Sequence, residues 1–254
     1  MRHGLLIGGI VVVAALTVGF LVTQGPSDIP MQQNEKFEVP EYAEGEDIVR
    51  HLGYTASYNH TTLVPDWVAW ELTKGEANAE LYDKFSFSRD PYVLEPKACR
   101  EDYSHSGWDK GHMAPRADMR WNLQALEESY YFTNICPQNH EMNAGTWRRI
   151  EELTRWMATA HDVVYVVCGP LFTDHRHGTI GNVSVPDAFF KALVVSTAKE
   201  TQTIGFIVDN SPQTRSPRHY AVSIDSIETL IGRNLFPRLD EEYEKTFDYN
   251  FWKI

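Results

Sequence analysis

His112 lies in the run WDKGHMAP, residues 108–115, with Asp109 three positions before it and Lys110 and Gly111 between. Imidazole is the side chain best matched to proton transfer near neutral pH. In a chain with 10 histidines, such a residue is either an ordinary satisfied histidine or a general base. Zinc ligation is the weaker reading, because only His105 lies near and nothing completes a ligand set. Asn143 stands at the start of a predicted helix over 144–160 and also has two readings. Asn is a good helix N-cap. Its amide oxygen can equally bind a hard cation such as Mg²⁺, which keeps most of its waters and takes one or two protein ligands. Glu151 comes eight residues later, about 80° around a regular helix, where it could orient a water of such a cation. Arg155 follows Glu151 at i+4, the spacing of a plain surface ion pair. Arg89, in the loop-like FSFSRDPY, is either solvated or a clamp on phosphate oxygens, for which the planar guanidinium is suited.

The elements that must position these groups are legible in outline. Residues 67–72 (WVAWEL), 130–136 (YYFTNIC, halted by Pro137), 163–168, 189–196 and 203–208 read as strands. Residues 144–160 carry Trp147, Ile150, Leu153 or Thr154, and Met157 on one helical face. Residues 225–232 read as a short helix stopped by Gly232, and residues 83–96 as irregular. Strands and helices without a βαβ rhythm predict an α+β domain. Cys99, Cys136 and Cys168 allow one disulfide at most, and Cys136 and Cys168 read as buried free thiols.

The formal charge of −12 argues against a nucleic-acid partner. Its distribution softens the objection: residues 27–50 hold seven acids against two bases, and residues 240–254 hold five against two. Residues 5–22 form an apolar run behind Arg2, long enough to span a bilayer. Three segments follow from this: 1–23, a membrane anchor or a cleaved signal; 24–50, an acidic tether; and 51–254, the domain. The domain is then expected outside the cytoplasm, in a periplasmic, extracellular or organellar intermembrane space, or secreted if the segment is cleaved.

WDKGHMAP resembles the D-R-G-H signature of the DNA/RNA non-specific endonucleases, the ββα-metal (His-Me finger) nucleases. The resemblance extends over residues 67–232 and includes the spacing of Asn134, Asn143, Glu151 and Arg155, with Trp147 at the family's helix tryptophan. It implies an α+β fold with a mixed or antiparallel central sheet, and Mg²⁺-dependent hydrolysis of DNA and RNA, with Mn²⁺ as a possible substitute. It also implies His112 as the base, Asn143 as the metal ligand and Glu151 holding a water of the metal shell. Arg89 and Arg155 would stabilise the phosphate in the transition state, and Asn134 would support the site by hydrogen bonds. It admits a homodimer. Lys110 stands where the family usually has arginine, keeping the charge but losing the bidentate fork. The competing readings are a catalytically weak or inactive membrane-tethered protein that binds nucleic acid, and a hydrolase of small phosphoesters.

Overall fold

The computed structural model describes residues 36–174, 176–197 and 200–254. Strands follow in chain order as β1 (Asp47–Arg50), β2 (Thr55–Asn59), β3 (Val64–Thr73), β4 (Asp109–His112), β5 (Ile135–Gln138), β6 (Val163–Leu171), β7 (Thr179–Ile180), β8 (Val183–Ser184), β9 (Ala188–Ser196), β10 (Thr201–Asp209) and β11 (Ala221–Val222). Seven of them form one sheet in the order β1-β2-β3-β6-β9-β10-β11, antiparallel at every pairing. The expected α+β class holds, and the sheet is antiparallel rather than mixed. β4 and β5 make a separate two-stranded ribbon, as do β7 and β8.

The central strands read as unbroken apolar runs because both faces of the sheet are covered. Along β3, Val68, Trp70 and Leu72 enter one cluster with Trp147, Ile150 and Met157 of the site helix. Trp67 and Ala69 point the other way, into a cluster with Ile224, Ile227 and Phe236. The period of two thus divides one strand between two cores. Ser223 caps the second-face helix Ile224–Ile231, and Gly232 ends it at φ 66°, the left-handed conformation glycine permits without a Cβ clash.

Three differences from the sequence reading have physical causes. Residues 130–136 are not one strand: a 3₁₀ turn, Phe132–Asn134, precedes β5, which runs on through Pro137. Proline is tolerated there because the ribbon has only one partner strand. The site helix starts before 144, at His140, and its cap is Asn139, which accepts from the N–H groups of Glu141 and Met142. Residues 36–50 do not stay outside the domain. Val39 and Val49 are buried, and β1 is an edge strand of the sheet. Apolar residues alternate with the acids there, and counting charge hid them. Among the described residues no helix is long and apolar enough to cross a membrane. The expected anchor at 5–22 lies outside the described residues.

Candidate active site on a ribbon and a helix start

β4 presents WDKGHMAP and β5 returns beside it, pairing Asp109 with Gln138 and His112 with Ile135. Gly111 leaves room for the Gln138 side chain: a Cβ there would lie 2.0 Å from Gln138 Oε1, so a larger residue requires that side chain to move. Asn134 fixes the turn that follows His112. It is fully buried, and its amide accepts from the Ala114 N–H at 2.8 Å and donates to the carbonyls of Ala114 at 2.8 Å and Ser129 at 2.9 Å. Its place is structural, and it makes no described contact with His112. The indole N–H of Trp147 donates to the His112 carbonyl at 3.3 Å, tying helix to ribbon.

The His112 ring packs against Phe87 and Tyr130, at 5.4 and 5.3 Å between centroids. The residue keeps some exposed surface, yet Nε2 is shut from solvent and has no hydrogen-bond partner among the described residues. A charged ring held against that wall would lose its hydration. Burial, with the Arg116 guanidinium second, lowers the pKa to about 4. The ring is therefore neutral at physiological pH.

Asn143 is not the N-cap. It opens a π turn, Asn143–Trp147, ahead of the helix Arg148–His161. A π turn holds one extra residue, so the eight positions from Asn143 to Glu151 advance like seven. That brings the two within about 20° of one helical face, instead of the expected 80°. The π turn is braced by the segment at Gln213–Arg215. Thr146 Oγ1 donates to the Arg215 carbonyl at 2.8 Å, and a Cβ on Gly145 would lie 3.0 Å from Thr214. Asn143 Nδ2 donates to Asp109 Oδ2 at 2.9 Å, and His140 Nδ1 lies 2.9 Å from the same oxygen. A carboxylate only accepts, so the nitrogen must face Asp109 and the amide oxygen is held turned away from it. Asp109 thus orients Asn143 rather than His112.

Glu151 sits where the helix meets the sheet. Burial, opposed chiefly by Lys191, raises its pKa to about 7. Arg155 does not pair with Glu151. Its Nη1 donates to buried Asp118 at 2.9 Å, and Asp118 also accepts from the Trp70 indole at 3.2 Å. Lys110 lies near Phe87 and Tyr103, 5.7 and 5.6 Å from their ring centres. It therefore shares Phe87 with His112. Arg89 is exposed and bonded to Glu95 at 2.8 Å. Its neighbour Ser88 bridges to Tyr131, beside the Tyr130 that packs on His112. The structure thus joins His112 and Lys110 around Phe87, joins Asp109 to Asn143, and leaves Arg89 at the rim.

A model of the DNA/RNA non-specific endonuclease family matches residues 32–242. The chain belongs to that family. Nuclease EXOG, mitochondrial, of Xenopus laevis is 32% identical over 241 residues, covering 85% of this chain and 66% of the relative. Endonuclease G, mitochondrial, of Bos taurus is 29% identical over 205 residues, covering 73% and 68%. The chain spans a little under two thirds of the length of the EXOG relatives it matches. A solved structure described as the EndoG/EndoGI complex is alike in fold, with a TM-score of 0.74 at 24% identity over 86% of this chain and 96% of that one.

Within this non-specific endonuclease fold, sequence reasoning missed Asp118, Lys191, His140 and Arg116. Lys191 is fully buried on β9, with its ammonium 4.4 Å from the Trp147 ring and 5.1 Å from that of Trp70. A lone cation inside the apolar run FFKALVVS was the signal for it. Asp118 and His140 carry no such mark, because their partners are distant in sequence or lie across the ribbon.

Proposed function

We propose that this chain is a Mg²⁺-dependent, sugar-non-specific endonuclease that hydrolyses phosphodiester bonds of DNA and RNA. The observation that carries the reading is His112. It is held neutral on a ribbon, only its Nε2 is shut into the wall, and that ribbon's Asp109 aims the amide of Asn143. His112 takes the proton of the attacking water at Nδ1, the ring nitrogen that is not walled in. The donor set fits a hydrated hard cation. One oriented amide oxygen and one nearby carboxylate are available, and among the described residues no group of three or more His, Cys, Asp or Glu side chains could cage a softer metal. Asn143 would hold the ion and Glu151 would steady its water shell, with Mn²⁺ an expected substitute. The bound ion would supply charge stabilisation at the phosphate and the departing oxygen. Arg155, anchored by Asp118, presents a fixed positive charge near Glu151. Arg89 and Lys110 bind phosphate at the rim and at the Phe87 wall. Asn134 is a positioning residue. None of these groups reads bases, so DNA and RNA are both substrates.

The apolar run at 5–22 supports a membrane-held enzyme with its domain outside the cytoplasm. Two of the relatives named above are described as mitochondrial, which supports an organellar space as one such place. The decisive test is incubation of the full chain with supercoiled plasmid and with RNA, with and without EDTA. Cleavage of both that EDTA abolishes is the expected result. Binding without cleavage would point instead to a protein that only captures nucleic acid.

A further inference from the structure

The site holds a third guanidinium beyond the two the sequence singled out. Arg116 opens the 3₁₀ turn Arg116–Asp118, four residues after His112. Arg89 is bonded to Glu95 and Arg155 to Asp118, whereas Arg116 makes no ion pair among the described residues. Its guanidinium carbon lies 5.6 Å from the ring centre of Tyr82, within cation–π range. Tyr82 is 63% exposed, an unusual position for a large aromatic. It is nevertheless pinned. The Leu81 N–H donates to the Arg120 carbonyl at 2.9 Å, and the Arg120 side chain donates to the carbonyls of Leu81 and Glu80, each at 3.3 Å. The segment bearing the tyrosine is therefore stapled to the turn bearing the arginine, with one ring face toward Arg116 and the exposed side open to solvent.

We propose that Arg116 and Tyr82 form a nucleotide subsite beside the scissile bond, in which the guanidinium binds a phosphate and the tyrosine ring stacks on an unpaired base. The proposal rests on the nuclease reading above. A guanidinium with no ion pair among the described residues, beside the base His112, is suited to bidentate phosphate contact. Base stacking tolerates any sequence, because every base has a π face. Stapling the two segments means that little is left to order when the strand arrives. Arg116 has a second consequence: as a neighbouring cation it helps keep His112 unprotonated.

The test is fluorescence-anisotropy binding of a short single-stranded oligodeoxythymidylate by the full chain, in a His112→Ala background so that the strand survives. A single abasic residue is moved along the strand. One position should exist at which removing the base weakens binding about tenfold or more. Tyr82→Ala should show the same loss on the intact strand and no further loss on that abasic strand, while Tyr82→Phe should bind normally. Arg116→Ala should weaken all strands about tenfold and lower the salt slope by roughly one. Arg116→Lys should recover part of the affinity, and its salt slope should stay at the parental value. Folded Tyr82→Ala that binds like its parent, or an abasic scan with no sensitive position, would overturn the subsite while leaving the nuclease reading standing. A parent chain that binds no strand at all would overturn both.

Discussion

His112 combines two features that pull in opposite directions. Its enclosure secures the unprotonated form, and the same enclosure makes it a weak base by pKa alone. His112→Ala should lower the rate by about two to four orders of magnitude, while circular dichroism and melting show a folded protein. Because its pKa is lowered to about 4, the base is in its active, neutral form throughout the range above that. The acid limb of the pH–rate profile that belongs to His112 should therefore lie near pH 4 rather than 6.5, and Arg116→Ala should move it upward. Glu151 has the opposite shift, raised to about 7. Its carboxylate forms as pH rises through that value, so Mg²⁺ affinity should increase from pH 6 to pH 8 with release of a proton. Calorimetry in buffers of different ionisation heat measures that release, and Glu151→Gln should abolish it. At the rim, Glu95 competes with phosphate for Arg89. Glu95→Gln should tighten oligonucleotide binding by up to about fivefold, the most that an exposed ion pair is worth.

At the scale of elements, the ribbon and the π turn are built for close approach rather than for propensity. Asn134→Ala removes one acceptor and two donor bonds from buried main-chain groups and should cost about 2–4 kcal/mol. Gly111→Ala should also destabilise, by a smaller amount of about 1–3 kcal/mol, because its methyl obliges the buried Gln138 side chain to shift. Urea unfolding of the two variants checks both values. An Asn134→Ala protein of parental stability would contradict the structural role assigned to that residue. Asn143→Ala is informative for the opposite reason. Since Asn139 caps the helix, Asn143→Ala should leave stability nearly unchanged and act on metal affinity, so added Mg²⁺ should restore part of its activity.

Across the whole molecule, one antiparallel sheet separates two cores, and the site grows from the first of them. The edge strand β1 and buried Val39 belong to that frame. A chain beginning at Lys36 should therefore melt well above one beginning at His51, as scanning calorimetry would record. The charge of −12 has a consequence for substrate capture as well. With few basic contacts on an acidic background, binding should weaken with salt at a modest slope, roughly one unit of log affinity per phosphate contacted. A slope near that of a strongly basic DNA-binding protein would rule this account out.

The residue types and spacing of WDKGHMAP and the 134–155 segment were enough to nominate His112, Asn143, Glu151, Arg155 and the family, because chemistry in a ββα unit depends on short-range separations that a sequence preserves. The strands under the sheet were legible for a similar reason: burial on both faces leaves an unbroken apolar run. Other features had no local signature. The π turn that brings Asn143 and Glu151 toward one face depends on the distant segment at Gln213–Arg215 packing against it. The Asp118–Arg155 pair spans 37 positions, and Tyr82 meets Arg116 across 34 positions, where Arg120 staples the two segments together. Which cation is already neutralised and which is left for a phosphate is a property of neighbours in space, and only the tertiary structure assigned it.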